Sequence, residues 1–191
     1  MTAATKRAVN DLEVVEGIFQ RIAADLAMII DRPFAVSETR VERANARAVG
    51  KGQVHISFKL CFKLGERTAH GCVLIPLPDA VSLAAYLMMV PDDAVKSHRT
   101  TTTLDPSTKD AMLEVGNFIG GAADAVVRSW FTDEYSIRAE GCQGVRANVR
   151  PALIYQEGDE LLVGRAKGRI HEYPEFEILL MLPALDGMRA P

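Results

Sequence analysis

The order in which two hydrophobic periodicities alternate along the chain restricts its fold more than any other feature. Strand-like stretches with period-two alternation cover residues 34–47, 53–64 and 69–77. Before them, apolar residues recur at steps of three and four over residues 9–30, the spacing of an amphipathic helix: Leu12, Val15, Phe19, Ile22, Leu26 and Ile29. The first half of the chain is therefore predicted to be a helix followed by three strands.

Glycines and prolines predict how these segments connect. Residues 50–52 (Gly-Lys-Gly) and residues 65–66 (Gly-Glu) separate consecutive strands, and both are predicted to be hairpin turns. A short helix is expected over residues 78–89, because proline and an acidic residue suit a helix start. The polar connector 90–104 is the segment that we expect to be most mobile.

The second half repeats the same order of elements. Asp105 is predicted to cap a helix that has Pro106 at its first position and ends near Trp130. Three more strand-like stretches follow, at residues 135–149, 160–171 and 176–182. The sequence leaves open whether the first of these pairs within the chain or with a second copy.

This repeat predicts an α+β fold for a single domain over residues 1–191, with pseudo-repeat halves at about 4–90 and 104–185. We expect the halves to merge their strands into one sheet of about six, covered by the long helices. Either half alone would leave one apolar face of its sheet exposed to water, which makes the merged sheet the more economical solution.

Charge and hydropathy exclude several classes of function. A net charge of −3 and a pI near 5.8 do not provide the basic surface that nucleic-acid binding requires. The basic residues 164–169 lack the spacing of a phosphate-binding loop and are interpreted as a strand with a solvated basic face. No apolar run is long enough for a membrane span and no signal peptide is recognisable, so we expect a cytoplasmic protein.

Cysteine and histidine are not arranged as metal ligands along the sequence. The cysteines Cys61, Cys72 and Cys142 occur singly in apolar surroundings, which predicts small core residues rather than a disulfide framework or a zinc site. The histidines are scattered over different elements and are assigned structural or surface roles: His55, His70, His98 and His171. The sequence therefore predicts no metal site in this chain.

The second long helix separates into two stripes. One is apolar and predicted to be buried, and consists of Met112, Val115, Ile119, Ala122, Val126 and Trp130. The other contains Asp110, Glu114, Asn117 and Gly121 at steps of four, three and four, so two carboxylates and an amide project from one face.

Glycine is frequent in the same helix, although each glycine inside a helix costs about 1 kcal/mol relative to alanine. Gly116, Gly120 and Gly121 lie within six consecutive residues. We therefore expect a neighbouring element, or the surface of a partner, to approach the helix backbone closely.

Residues 110–121, Asp-Ala-Met-Leu-Glu-Val-Gly-Asn-Phe-Ile-Gly-Gly, resemble the (D/S)xxxExxN signature of the CheC, CheX and FliY chemotaxis phosphatases. Residues 77–90 are also similar to the segment that leads into that signature. The first helix looks more like the opening helix of the flagellar switch protein FliM, which shares the fold but lacks the activity. The resemblance covers most of the chain, since a repeated helix and three strands is the fold of this family.

The resemblance implies a hydrolase that removes the aspartyl phosphate from a CheY-type response regulator. It implies that Asn117 orients the attacking water and that Glu114 pairs with a lysine of the regulator. Asp110 would support that contact at its edge, and Gly121 would lie in the partner-binding surface. Mg²⁺ is expected on the regulator, so this chain needs no cofactor of its own.

The chain departs from the family pattern in its first helix, where Glu13 is followed by Glu16 instead of the expected asparagine. In another register Glu16 is followed by Phe19, so neither register supplies the amide. At most one active centre is therefore predicted, as in CheX, which the resemblance associates with a homodimer. The first proline after Asn117 is Pro151, later than the family tends to place it, and the extra residues are expected to reshape the rim of the site.

Three hypotheses remain open from the sequence. The first is a response-regulator phosphatase that uses Glu114 and Asn117. The second is a non-catalytic FliM-like module that binds a response regulator or a flagellar switch component. The third is a dimeric structural domain whose strand edges pair across a two-fold axis, with Asp110, Glu114 and Asn117 as ordinary surface.

Overall fold

The computed structural model describes residues 10–131, 135–156 and 158–184 of the chain. Four helices and six strands are formed by these residues. In chain order they are α1 (Asp11–Ile30), β1 (Phe34–Ala44), β2 (His55–Leu64), β3 (Arg67–Pro76), α2 (Leu77–Leu87), α3 (Asp92–His98), α4 (Pro106–Trp130), β4 (Tyr135–Val145), β5 (Leu161–Ile170) and β6 (Phe176–Pro183).

Both long helices begin at polar caps. The Asn10 side chain accepts a hydrogen bond from the backbone N–H of Leu12 at 3.0 Å and opens α1. Asp105 accepts from the backbone N–H of Thr108 at 2.8 Å, and Pro106 is the first residue of α4, as the sequence predicted. Residue 9, where the sequence placed the start of the first helix, lies outside the described residues.

The six strands form one antiparallel sheet in the order β1-β5-β6-β3-β2-β4. The first strand of each half pairs with the second strand of the other half, since β1 pairs with β5 and β4 pairs with β2. If each strand is exchanged with its equivalent in the other half (β1 with β4, β2 with β5, β3 with β6), the same order results in reverse. The sheet therefore has an approximate internal two-fold symmetry. The predicted α+β fold with one six-stranded sheet is confirmed, and β4 pairs within the chain.

One predicted hairpin is wrong and the other is confirmed. Residues 50–52 do not join paired strands, because β5, β6 and β3 lie between β1 and β2 in the sheet. A tight turn joins only neighbouring strands, whereas residues 45–54 form a long crossing connection. Residues 65–66 do form a hairpin turn, with Leu64 opposite Arg67 and Gly65 at a φ of 58°.

The two faces of the sheet are covered differently. The helices α1, α2 and α4 cover one face and enclose the larger core, whose most buried large side chains include Phe19, Phe58 and Phe62. The other face buries a smaller cluster: Cys72, Leu74, Leu161, Val163, Leu179 and Met181. Parts of the connections 45–54 and 146–160 lie over this cluster, so this second face is shielded by loops.

The connector 90–104 is partly helical. α3 occupies Asp92–His98, and the residue that follows it, Arg99, is anchored to the start of α2 through Asp79 at 2.9 Å. The expected mobility of this connector stays a prediction.

Candidate functional site

α4 packs its apolar stripe against the sheet. Met112, Val115, Ile119 and Ala122 are buried as predicted, whereas Val126 and Trp130 nearer the end of the helix are only partly buried. The helix lies on β4 and β2, and these rigid elements fix the direction in which its opposite face points. A site on that opposite face is therefore held on a well-packed scaffold.

The polar stripe lies on the exposed face of α4. Asp110, Glu114, Asn117 and Gly121 are all exposed. The structure brings two of them into contact, because the Asn117 amide Nδ2 donates a hydrogen bond to Glu114 Oε2 at 3.2 Å. Asp110 lies one helical turn before Glu114 on the same face.

This hydrogen bond orients the Asn117 amide. A carboxylate can only accept, so the amide nitrogen must face Glu114 and the amide oxygen Oδ1 must face away from it. The oxygen that can accept a hydrogen bond from water is thereby presented to the exterior. Such an arrangement can position a water molecule beside a surface that docks on α4.

The sequence interpretation missed one neighbour of these residues. Leu113 lies one turn before Asn117 and is 43% exposed, which places an apolar side chain beside the polar stripe. An exposed leucine on a helix surface is ordinary by itself, and only its position next to Asn117 makes it a candidate docking contact. Periodicity did identify the stripe, but it assigns no role to an intervening apolar residue.

The glycines of α4 fall into two groups. A Cβ on Gly120 would lie 2.9 Å from the backbone nitrogen of Ala139, and a Cβ on Gly116 would lie 3.4 Å from Phe58 Cδ1. The predicted close approach of a neighbouring element is therefore confirmed at Gly120, whereas the distance at Gly116 is that of an ordinary van der Waals contact. A Cβ on Gly121 would meet no other atom within 4 Å among the described residues, so packing inside the chain does not require that glycine.

The corresponding face of α1 lacks the amide, as the sequence indicated. Glu13 is partly buried and Glu16 is exposed. The next amide, on Gln20, donates to the backbone oxygen of Val36 at 3.0 Å and so ties α1 to β1. That amide is committed to the fold and does not replace the missing asparagine.

The three cysteines have the environments of core residues, and Cys61 in addition has a charged neighbour, Glu140. Cys72 is fully enclosed, and burial raises the pKa of its thiol to about 12. Cys142 is partly buried, and burial raises its pKa as well. Burial also raises the pKa of Cys61, and a hydrogen bond to Glu140 and its charge act in the same direction.

The structure thus brings together a side-chain cluster that the sequence did not indicate. Cys61, His70 and Glu140 lie on three different strands, and one potential ligand atom from each lies within 4.8 Å of the others. His70 was assigned a structural or surface role because no ligand spacing is visible along the sequence. Cys61 and Glu140 are 79 positions apart in the sequence, and the pairing of β4 with β2 brings them close together.

Comparisons with known proteins bear on the fold. No protein-family model matches the chain, and no curated protein matches it in sequence. Solved structures do match over nearly the whole chain, and they show its fold: it is the fold of FliY, of the chemotaxis protein CheX, of a CheC-like superfamily protein and of FliM middle domains.

Among these structures, FliY of Thermotoga maritima has a TM-score of 0.66 at 16% identity, covering 96% of this chain and 93% of that one. The chemotaxis protein CheX of Desulfovibrio desulfuricans has a TM-score of 0.55 at 15% identity, covering 88% and 97%. The FliM middle domain of H. pylori has a TM-score of 0.60 at 8% identity, covering 93% and 94%. At these identities the similarity establishes the fold, as the resemblance in residues 110–121 implied.

Membrane insertion through a helix finds no support in the part of the chain that the structure describes. None of the helices there combines the length and the apolar character needed to span a bilayer.

Proposed function

We propose that this chain hydrolyses the aspartyl phosphate of a CheY-type response regulator, in chemotaxis or a related two-component pathway. The observation that carries the proposal is the exposed pair of Asn117 and Glu114, hydrogen-bonded at 3.2 Å on the outer face of α4. The fold shared with FliY and CheX supports the same reading, because residues 110–121 match the signature of that class.

Asn117 is proposed to position the attacking water. Phosphoryl transfer passes through a loose transition state, so catalysis depends mainly on alignment and electrostatic stabilisation. The outward-facing Oδ1 of Asn117 accepts a hydrogen bond from the water and holds it in line with the phosphorus atom. The amide nitrogen is meanwhile fixed by Glu114, which limits rotation of the side chain.

Glu114 is proposed to have a second role in docking. One carboxylate oxygen accepts from Asn117, and the carboxylate can also form a charge-assisted hydrogen bond with a lysine of the regulator. Asp110 extends the acidic surface by one turn, and Leu113 adds an apolar contact. Gly121 leaves the helix surface bare at the far end, so the regulator can approach the backbone closely.

Magnesium belongs to the regulator in this proposal. The cation there neutralises the charge that develops on the phosphoryl oxygens, while this chain contributes the amide and the docking carboxylates. Hydrolysis is therefore expected to require Mg²⁺ together with the phosphorylated regulator.

The test is the decay of a phosphorylated CheY-type regulator with Mg²⁺, with and without the full chain. We expect the wild type to accelerate the decay and Asn117→Ala to reduce the acceleration on the order of 100-fold. Glu114→Ala is expected to weaken regulator binding at least roughly 10-fold, which corresponds to about 1.4 kcal/mol.

Glu16→Ala is the matched control, since it removes an exposed glutamate from the other long helix. It should leave the decay rate unchanged. Acceleration that survives Asn117→Ala in a folded protein would overturn the assigned role of the amide. Absence of acceleration with every regulator tested, despite binding, would replace the enzyme with a docking module.

That docking module is the second candidate function. The fold is equally that of FliM middle domains, and the first helix has Glu16 at the position where an asparagine is required. In this reading Asp110 and Glu114 bind a regulator or a switch component without turnover. Binding that needs Glu114 but is indifferent to Asn117, with no effect on dephosphorylation, would favour it.

A homodimer is part of the first proposal, because a single active centre resembles the arrangement of CheX. The long strands β1 and β4 form the two edges of the sheet and offer surfaces for such pairing. Sedimentation equilibrium of the full chain tests this directly, and a monomer across the micromolar range would contradict it.

A further inference from the structure

The loop-covered face of the sheet carries a cluster of three metal-ligating side chains. Cys61 lies on β2 and is directly opposite His70 on β3, so both side chains point to the same face. Glu140 lies on β4, on the other side of β2. His70 and Glu140 therefore reach over Cys61 from both neighbouring strands.

A β-bulge directs Glu140 into this cluster. Between the pairs Phe58–Cys142 and Leu60–Ala139, β4 has two residues opposite the single residue Lys59 of β2. The second of these two residues is Gly141, whose φ of 100° is in the region that favours glycine. Bulges re-aim side chains and are frequent beside functional sites.

The distances are close to those of a metal centre. His70 Nδ1 and Glu140 Oε2 are 3.0 Å apart, and the three potential ligand atoms lie within 4.8 Å of one another. Ligand atoms around tetrahedral zinc are about 3.3–3.6 Å apart, given the usual zinc–ligand distances. Because Glu140 is 42% exposed, rotation of its side chain can supply the remaining adjustment.

The donor set selects the kind of cation. Thiolate, imidazole and carboxylate together suit Zn²⁺, whereas Mg²⁺ and Ca²⁺ prefer oxygen ligands only. A thiolate and a carboxylate balance the two positive charges of the ion, so the assembled site is neutral. This balance matters because Cys61 is buried and an uncompensated charge there would be costly.

We propose that Cys61, His70 and Glu140 form a three-ligand Zn²⁺ site on the face of the sheet opposite the helices. On binding, the Cys61 thiol releases its proton to solvent and the ion takes the position between the three side chains. His70 and Glu140 line a cleft of about 390 Å³ together with Lys59, Gly71 and Leu153, so a fourth coordination position is left open to water or another small ligand. Sites with three protein ligands and one open position are those in which zinc is reactive.

The site also has a structural consequence for β4. Among the strands that the structure describes, β4 is an edge of the sheet and its one neighbour is β2. A zinc ion held by β3, β2 and β4 would cross-link the edge strand to the interior of the sheet. Since β4 supports α4, the metal is expected to raise the stability of the scaffold beneath Asn117 without touching that residue.

The experiment uses the purified full chain after treatment with a chelator and a non-thiol reductant. Zn²⁺ is titrated by calorimetry and Co²⁺ by absorption spectroscopy. We expect one ion per chain, a thiolate-to-cobalt charge-transfer band in the near ultraviolet, and the intense visible bands of four-coordinate cobalt. Zn²⁺ should also raise the Tm in proportion to the logarithm of its concentration.

Cys61→Ser, His70→Ala and Glu140→Gln should each weaken Zn²⁺ binding at least roughly 10-fold. Cys142→Ser and His98→Ala are the matched controls, because they remove the same chemical groups outside the cluster. Glu140→Gln alters an exposed side chain, and it remains informative if Cys61→Ser, at a buried position, fails to fold. No Zn²⁺ binding, a cobalt complex without the thiolate band, or binding that is unchanged in Glu140→Gln would overturn the site.

Discussion

The amide nitrogen of Asn117 lies 3.2 Å from the carboxylate of Glu114, one helical turn away on the exposed face of α4. Because of this contact, the two proposed roles of Glu114, which are to orient Asn117 and to attract a lysine of the regulator, can be tested separately. Glutamine at position 114 can still accept a hydrogen bond from the Asn117 amide, but it cannot attract a lysine by charge. Glu114→Gln is therefore expected to raise KM for the phosphorylated regulator by roughly 10-fold while largely preserving kcat.

Steady-state kinetics of Glu114→Gln, Glu114→Ala and Asn117→Ala check this prediction. Glu114→Ala removes the acceptor as well as the charge, so its kcat should be lower than that of Glu114→Gln. Equal kcat values in the two Glu114 variants would show that the hydrogen bond does not position Asn117.

The adjacent residues Gly120 and Gly121 are expected to respond oppositely to alanine. A Cβ on Gly120 would lie 2.9 Å from a backbone atom of β4, so Gly120→Ala should destabilise the protein by about 1–3 kcal/mol. Gly121 has space around it, and Gly121→Ala should stabilise the helix by up to about 1 kcal/mol. Urea unfolding of the two variants measures both effects, and equal effects would contradict the packing described for α4.

Gly121 also tests the docking surface. The fold does not require glycine there, so the bulkier variant Gly121→Gln should fold normally. If the regulator approaches the bare backbone, Gly121→Gln will weaken binding of the regulator while Glu16→Gln on α1 will not. Unchanged affinity in a folded Gly121→Gln protein would remove this end of α4 from the interface.

Arg99 holds a buried carboxylate in place. Its Nη2 donates to Asp79 Oδ1 at 2.9 Å, its guanidinium lies 4.0 Å from the centre of the Tyr173 ring, and the Asp79 side chain is only 5% exposed. Arg99→Ala leaves that carboxylate buried and without its cation, so it should cost about 3–5 kcal/mol of unfolding free energy. Adding Asp79→Asn should restore part of the loss, which chemical denaturation of the single and double variants can measure.

The loss of unfolding free energy in Arg99→Ala is expected to depend on pH. Burial raises the pKa of Asp79, and the charge of Arg99 opposes that rise. Without Arg99 the pKa rises further, so the folded state binds a proton more tightly than the unfolded state, and stability falls as the pH rises through the folded pKa. The difference between wild type and Arg99→Ala should therefore be largest at neutral pH and shrink towards about pH 4, the unfolded pKa.

For the stability that Asp105 contributes, we expect the opposite dependence on pH. Hydrogen bonds from the backbone and the hydroxyl of Thr108 lower the pKa of its carboxyl group. The stability that it contributes is present above the unfolded pKa of about 3.9 and is lost as the pH falls through the folded pKa. Asp105→Asn keeps a capping side chain but does not titrate, so its urea midpoint should vary less below about pH 5 than that of wild type.

The strands and every helix except α3 could be predicted from the sequence because their signals are local. The spacing of apolar residues identified α1 and α4, and the Asp105-Pro106 pair marked the start of α4. The same periodicity placed Asp110, Glu114, Asn117 and Gly121 on one exposed face. The turn at residues 50–52 was wrong because glycine shows where a chain can bend, but not which strands will pair.

By itself the sequence determined the elements other than α3, their order and the outward face of α4, since each follows from interactions over a few neighbouring residues. Only the tertiary structure decided that β1 and β4 change places between the halves, that β4 passes close to Gly120, and that Cys61, His70 and Glu140 meet. These relationships depend on burial of both faces of one sheet, which is a property of the whole chain. No local pattern of residues determines which distant strands must pair for both faces to be buried.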